Sequence, residues 1–203
     1  MATTDGGSTD AGGTIGAPPR EVKVGGREVY DGKLLDLRVD TVRMPSGRET
    51  AREVVAHPGS VAIVALTRDG QVLLLRHFRY AVGRDLLELP AGTLDPGETP
   101  EATARRELLE ETGYAPGRLT ELASVYSSPG YTTERITIFR ADECTKVEGA
   151  TGPEEALTLA PTPLAAVPLL VAPGADQVHD AKTLLGLLFL LRQEGGLPGG
   201  GGG

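Results

Sequence analysis

Glu107, Glu110 and Glu111 stand close together in PEATARRELLEET (Pro100 to Thr112), with Glu98 just ahead of them. Thr99 is a suitable N-cap, Pro100 suits the first helical position and Gly113 the stop, so the segment predicts a helix of about three turns. On a helix, residues three and four apart share a face, where like charges repel. The glutamates also occupy the C-terminal half, where the helix dipole favours Lys or Arg and each carboxylate costs about 0.3–1 kcal/mol. A hard divalent cation reverses both penalties. Magnesium prefers octahedral oxygen ligands and keeps some of its waters, so a few carboxylates and substrate phosphate oxygens complete its shell. Manganese suits the same donors. Such an ion neutralises phosphate oxygens and makes hydroxide available near neutral pH. An acidic helix face is more often simply solvated, and the wider spacing decides between the two.

Gly92, Glu98, Arg106-Glu107-Leu108, Glu110-Glu111 and Gly113-Tyr114 fall at the spacing of the signature box of the Nudix hydrolases, which this segment resembles at every defined position. The resemblance implies an α/β fold, an α/β/α sandwich with a mixed β-sheet. In it the box forms a loop, helix and loop that binds divalent cations to hydrolyse a nucleoside diphosphate linked to another moiety. Carried over by position, Glu107 and Glu111 are the main metal ligands, Glu110 and Glu98 assist, and the carbonyl of Ala91 joins them. Arg106 reads as structural, orienting a glutamate and pairing at i,i+4 with Glu110. Leu108 and Leu109 are expected to pack the helix onto the sheet.

Four flanking features resemble the ADP-ribose pyrophosphatase branch of that family: Arg79-Tyr80, Glu88-Leu89-Pro90-Ala91-Gly92, Ser128-Pro129-Gly130 followed by Glu134, and Asp180-Ala181-Lys182-Thr183. Pro129 falls sixteen residues after Gly113, the spacing that marks this branch. The resemblance implies that Arg79 offers its planar fork to phosphate oxygens, and that Glu88 neighbours substrate or metal. Arg52 and Glu53 are expected to reach the adenine or its ribose across a homodimer built by exchanging an N-terminal ribbon. Ser128, Pro129 and Gly130 are expected to fix a loop near the terminal ribose, with Glu134 accepting from its hydroxyls. The water-activating base lies on a later loop, at Glu154 or Glu155, with Glu148 a weaker choice. The implied reaction is hydrolysis of ADP-ribose to AMP and ribose 5-phosphate, with Mg2+ or Mn2+. Alternatives are another nucleoside diphosphate sugar, or a non-catalytic ADP-ribose-binding module; the intact glutamates disfavour the module. With no Trp, three Phe and five Tyr, adenine stacking falls to Tyr30, Phe78 or Tyr80.

The elements that must position these residues follow from pattern. Ser60–Thr67 and Gln71–Phe78 are apolar strands joined through Asp69-Gly70, a strong hairpin signal. Further strands are expected at 86–90, 119–126 and 135–139, and a last helix at about 180–192. An antiparallel ribbon at 21–57, turning at Pro45-Ser46-Gly47, precedes a catalytic domain at 58–194. Residues 1–20, rich in Gly, Thr and Pro with no basic or apolar run, read as a disordered tail rather than a signal peptide, and 195–203 as a flexible Gly-rich end. The longest apolar run, 184–191, is too short to span a membrane. A net charge of -8 argues against a nucleic-acid or anionic-membrane surface. Cys144 stands alone, which excludes an internal disulfide and suits the cytoplasm. His57, His77 and His179 lack ligand spacing to one another.

Overall fold

A computed structural model describes residues 18–150 and 157–195. The ribbon proves to be a three-stranded antiparallel sheet of β1 (Val22–Asp31), β2 (Asp36–Arg43) and β3 (Glu49–Ala56), in the order β1-β2-β3. The sequence expectation covered β2 and β3. β1 lacks a strand's alternation because Gly25 and Gly26 interrupt it, and it is exposed along its whole length. The sheet joins the rest of the chain through Val55, whose N–H donates to the carbonyl of Tyr131 and whose carbonyl accepts from Thr133 N–H.

The second sheet is mixed and holds β4 (Ser60–Thr67), β5 (Gln71–Arg79), β6 (Arg84–Glu88), β7 (Ala91–Thr93), β8 (Tyr114–Ala115), β9 (Arg118–Tyr126), β10 (Arg135–Lys146) and β11 (Leu157–Pro163). Its central path runs β11-β5-β4-β10, with β10 parallel to β4. Gly70, at φ 78°, closes the expected β4–β5 hairpin by donating to Thr67. The helices are α1 (Pro100–Thr112), a short α2 (Val167–Leu170) and α3 (Ala181–Gln193).

β4 reads as an unbroken apolar run because both of its faces are covered. Val61, Ile63 and Ala65 pack with Ala104 and Leu108 of α1, while Ala62, Val64 and Leu66 pack with Leu187, Leu190 and Leu191 of α3. That is the expected sandwich. Leu108 is fully buried, but Leu109 is exposed, contrary to expectation. One residue along a helix turns the side chain by about 100°, and only Leu108 faces the sheet.

α3 approaches the sheet closely at Gly186. A Cβ there would stand 2.6 Å from Leu89 Cδ1 and 3.0 Å from Val64 Cγ2, both in the packed core. Gly186→Ala is therefore expected to destabilise the protein by about 1–3 kcal/mol through overpacking, although alanine in a helix interior is otherwise worth about 1 kcal/mol over glycine. A rise in the urea midpoint would show that the contact relaxes freely.

Candidate active site

Helix α1 starts and stops as its caps dictate. Thr99 accepts the Ala102 N–H, Pro100 is the first helical residue, and Gly113, left-handed at φ 74°, donates to Leu109. The helix thereby presents Glu107 and Glu111 one turn apart beneath β7. The Ala91 N–H donates to Glu111 Oε2 at 2.9 Å. At Gly92 the approach is closer still, since a Cβ would run into the Glu107 carboxyl. Replacing Gly92 with alanine is expected to push that flexible carboxyl aside at little cost in folding while weakening metal binding about 10–100-fold, the usual effect of disturbing a ligand's support. Metal titration of the folded variant checks this, and unchanged affinity would refute it.

Arg106 gathers the remaining acids. Its guanidinium donates to Glu98 at 3.0 and 3.2 Å, to Glu107 at 2.7 Å and to Glu110 at 3.1 Å. Glu98 also accepts from Thr103, and these hydrogen bonds hold its carboxyl down at about 2. Burial pushes Glu107 upward against the pull of Arg106. Glu111 is pushed up to about 7 by burial and by Glu107, opposed by the Ala91 N–H, Arg79 and Lys182.

Among the described residues no three Asp, Glu, His or Cys side chains converge on one point. The donor chemistry nonetheless fits a hard dication. Glu107 and Glu111 are half-buried carboxylates one helical turn apart, and burial raises both. Bound waters and substrate oxygens supply the other ligands of such an ion.

A cleft of about 510 Å³ opens beside these residues, lined by Arg79, Lys182 and Asp180, by Ala91, Gly92 and Thr93, and by Ser60, which pairs with Thr93 across the sheet, with His57 and Glu134. Its cationic wall is built on Glu88. That side chain is only 3% exposed and grips Arg79 Nε at 2.8 Å and Nη2 at 2.7 Å, and Lys182 Nζ at 2.6 Å. Burial alone would raise the Glu88 carboxyl, but the hydrogen bond from Arg79 and the charge of Lys182 outweigh it and set it at about 2. Asp180, the N-cap of α3, accepts from Lys182 at 2.8 Å and from the Thr183 N–H and hydroxyl. Thr183 Oγ1 in turn accepts the Leu89 N–H. The Asp-Ala-Lys-Thr phrase thus pins α3 to the chain entering the box.

The other expected residues divide. Glu134 lines the cleft and accepts from the Ser60 hydroxyl at 2.9 Å. Ser128, Pro129 and Gly130 do not line it; Ser128 closes a turn onto Tyr131 and Thr132, beside the bridge to β3. Arg52 pairs with Glu21 at 2.5 Å, and Arg52 and Glu53 lie outside the cleft of their own chain. Glu88 is the buried counter-ion of Arg79 and Lys182, which both line the cleft. Glu154 and Glu155 lie outside the described residues. Sequence reasoning assigned no role to Lys182, Asp180, Ser60 or His57. The signal available was the Asp-Ala-Lys-Thr phrase, where a lysine in a helix's first turn stands against the dipole.

A model for the NUDIX domain matches residues 56–181, well over half of the chain, and one for the nucleoside diphosphate sugar hydrolase N-terminal domain matches residues 23–55. The chain belongs to the Nudix family. Divalent-metal dependence is general among Nudix hydrolases. This Nudix hydrolase is 36% identical over 174 residues to the ADP-ribose pyrophosphatase of Bacillus subtilis (strain 168), covering 86% of the chain and 94% of that protein. It is 42% identical over 114 residues to the ADP-ribose pyrophosphatase of Mycobacterium tuberculosis (strain ATCC 25618 / H37Rv), covering 56% of the chain and 55% of that protein. The crystal structure of an ADP compounds hydrolase superposes with a TM-score of 0.74 at 22% identity, covering 90% of this chain and all of that one, a likeness of fold. Among the described residues of the Nudix chain, no helix is long and apolar enough to cross a membrane.

Proposed function

We propose that this Nudix hydrolase cleaves the diphosphate of ADP-ribose with water, releasing AMP and ribose 5-phosphate, and that Mg2+, replaceable by Mn2+, is its ion. The observation that carries the reading is the lining of the cleft: the cations Arg79 and Lys182, the box backbone from Ala91 to Thr93, and the hydrogen-bonded pair Ser60 and Glu134. A diphosphate between two sugars matches that set of groups. The names of its relatives agree.

Arg79, held by one edge on Glu88, keeps the other edge of its fork for a phosphate oxygen. Glu134 accepts from the terminal ribose, and the Ser128-Pro129-Gly130 loop closes beside it. Glu107 and Glu111, with Glu110 and the Ala91 carbonyl assisting, would hold a divalent ion, whose charge would neutralise phosphate oxygens and acidify the attacking water. Glu154 or Glu155 takes that water's proton as the bond from phosphorus to the bridging oxygen breaks.

The N-terminal unit, residues 21–57, is proposed to be exchanged in a cytoplasmic homodimer, joined to a catalytic unit at 58–194. In support, Val22, Val29 and Tyr30 of β1 and the neighbouring Leu34 are exposed apolar groups on a sheet with little to cover it. Exchange would carry Arg52 and Glu53 to the partner's cleft. Light scattering at monomer mass would count against it.

A second reading, that the sugar beyond the diphosphate differs, is favoured by the nucleoside diphosphate sugar description of the residues 23–55 match. The test is incubation with Mg2+ and a panel of ADP-ribose, other nucleoside diphosphate sugars, dinucleotides and nucleoside triphosphates, with products separated by anion exchange. ADP-ribose is expected to turn over best. Preference for another sugar selects the second reading, and preference for triphosphates refutes both.

A further inference from the structure

His57 lies on the short link between β3 and β4 and lines the cleft together with Ser60 and Glu134. Thr133 clasps its main chain: the hydroxyl accepts the His57 N–H at 3.0 Å and donates to the His57 carbonyl at 3.4 Å. The ring is fixed as well. Its Nδ1 accepts the Gly59 N–H at 3.0 Å, which closes a turn two residues on, where Gly59 stands at φ 105°. An asparagine or aspartate closes such a turn equally well, so the turn does not account for an imidazole. With Nδ1 accepting, the neutral ring carries its proton on Nε2. Among the described residues the ring's one hydrogen bond is that with Gly59, so the Nε2–H stays available.

Glu134 is left in the complementary state. Its Oε1 accepts from the Ser60 hydroxyl at 2.9 Å, and among the described residues Oε2 has no partner. Glu134 follows Thr133 directly in the chain, so the clasp keeps the free donor and the free acceptor on adjoining parts of the cleft. A sugar hydroxyl uses both, donating to the carboxylate and accepting from the imidazole. A phosphate oxygen does not, because its charge is repelled by Glu134.

We propose that His57 is a specificity-determining residue, which donates from Nε2 to a hydroxyl of the sugar that Glu134 receives. This rests on the reading of the cleft as a site for a diphosphate between two sugars; for ADP-ribose the sugar is the terminal ribose. Thr133 and Gly59 are the positioning partners, one for the main chain and one for the ring. Val55 at the end of β3 also bonds to Tyr131 and Thr133, so the N-terminal sheet and this sugar contact are built on one set of hydrogen bonds.

The test uses the full chain with Mg2+, ribose 5-phosphate as a calorimetric probe, AMP as its control, and ADP-ribose kinetics. His57→Asn places an oxygen where Nδ1 was, which keeps the Gly59 turn and removes the Nε2 donor. His57→Gln does the reverse, placing an amide N–H near the position of Nε2. The Asn variant is expected to keep its urea midpoint, to bind ribose 5-phosphate about tenfold more weakly and AMP as before, and to raise KM for ADP-ribose by a similar factor with a smaller change in kcat, as for loss of one hydrogen bond used in ground and transition states alike. Gln should bind ribose 5-phosphate within about threefold of the original, a rescue that a ring serving only Gly59 cannot show. Asn binding ribose 5-phosphate as well as Gln does, or better, overturns the proposal. Nitrogen NMR of the unsubstituted protein, whose three histidines give few signals, supplies a second measurement that does not depend on either variant folding. The His57 Nε2 resonance should move with ribose 5-phosphate and stay with AMP, and a resonance indifferent to ribose 5-phosphate overturns the contact. If ADP-ribose is not turned over but ribose 5-phosphate binding still follows residue 57, the substrate assignment fails while the sugar contact stands.

Discussion

Replacing Glu111 with glutamine is expected to lower kcat by about a thousandfold or more and, in the same variant, to make the metal-free protein more stable at pH 8. The first effect follows from losing a principal ligand of an ion that contributes several kcal/mol of charge stabilisation. The second follows from the Glu111 carboxyl, which burial raises to about 7 from an ordinary 4.5. Between those two values the folded protein holds a proton that the unfolded chain has lost, so stability falls as pH rises through the window and levels off above about 7. The deficit at pH 8 is about 2 kcal/mol, with allowance for partial solvation. Glutamine does not titrate and still accepts the Ala91 N–H. Urea unfolding in EDTA should therefore show the variant equal to the original protein near pH 4.5 and more stable at pH 8, while Mg2+ stabilises only the original. Metal binding near pH 6 should release a proton for the same reason, and apparent affinity should rise with pH up to about 7. Turnover close to the original, or a stability difference that does not change with pH, would show that Glu111 is not the buried ligand described.

The parts of this site that could be read from sequence are those fixed by near neighbours. Thr99, Pro100 and Gly113 bound α1 at the residues expected because capping depends only on the residues at each end. The β4–β5 hairpin follows from Asp69-Gly70 in the same way. Leu109 was misplaced because two adjacent apolar residues cannot both face one sheet, and nothing local says which does. β1 escaped notice because it buries no face of its own chain, so no alternation was needed. Glu88 and Lys182 are 94 positions apart and meet only once α3 is laid against β6, so neither residue carries the other's signature locally. The sequence offers the whole Arg79 fork to phosphate, whereas in the fold half of it is committed to Glu88. The box spacing could announce metal and diphosphate, but the charge balance of the cleft wall is a tertiary property.

That balance makes Glu88→Gln the other large effect. The variant leaves Arg79 and Lys182 facing an amide, and breaking a buried pair from one side costs about 3–5 kcal/mol; the lower end applies because Arg79 reaches solvent. The pH signature is opposite to that of Glu111. The Glu88 carboxyl is held at about 2, below its ordinary 4.5, so its stabilisation is fully present above pH 4.5 and is lost as pH falls toward 2. Urea midpoints should accordingly show Glu88→Gln about 3 kcal/mol less stable at both pH 8 and pH 5, with the gap closing only in acid. A difference under about 1 kcal/mol at neutral pH would mean that the two cations are solvated rather than matched. KM should rise in the folded variant, because an Arg79 fork without its counter-ion is free to turn away from the cleft. Two glutamates on one cleft thus titrate in opposite senses: Glu88 stabilises the fold by being charged, whereas Glu111 strains it by being charged until a cation arrives.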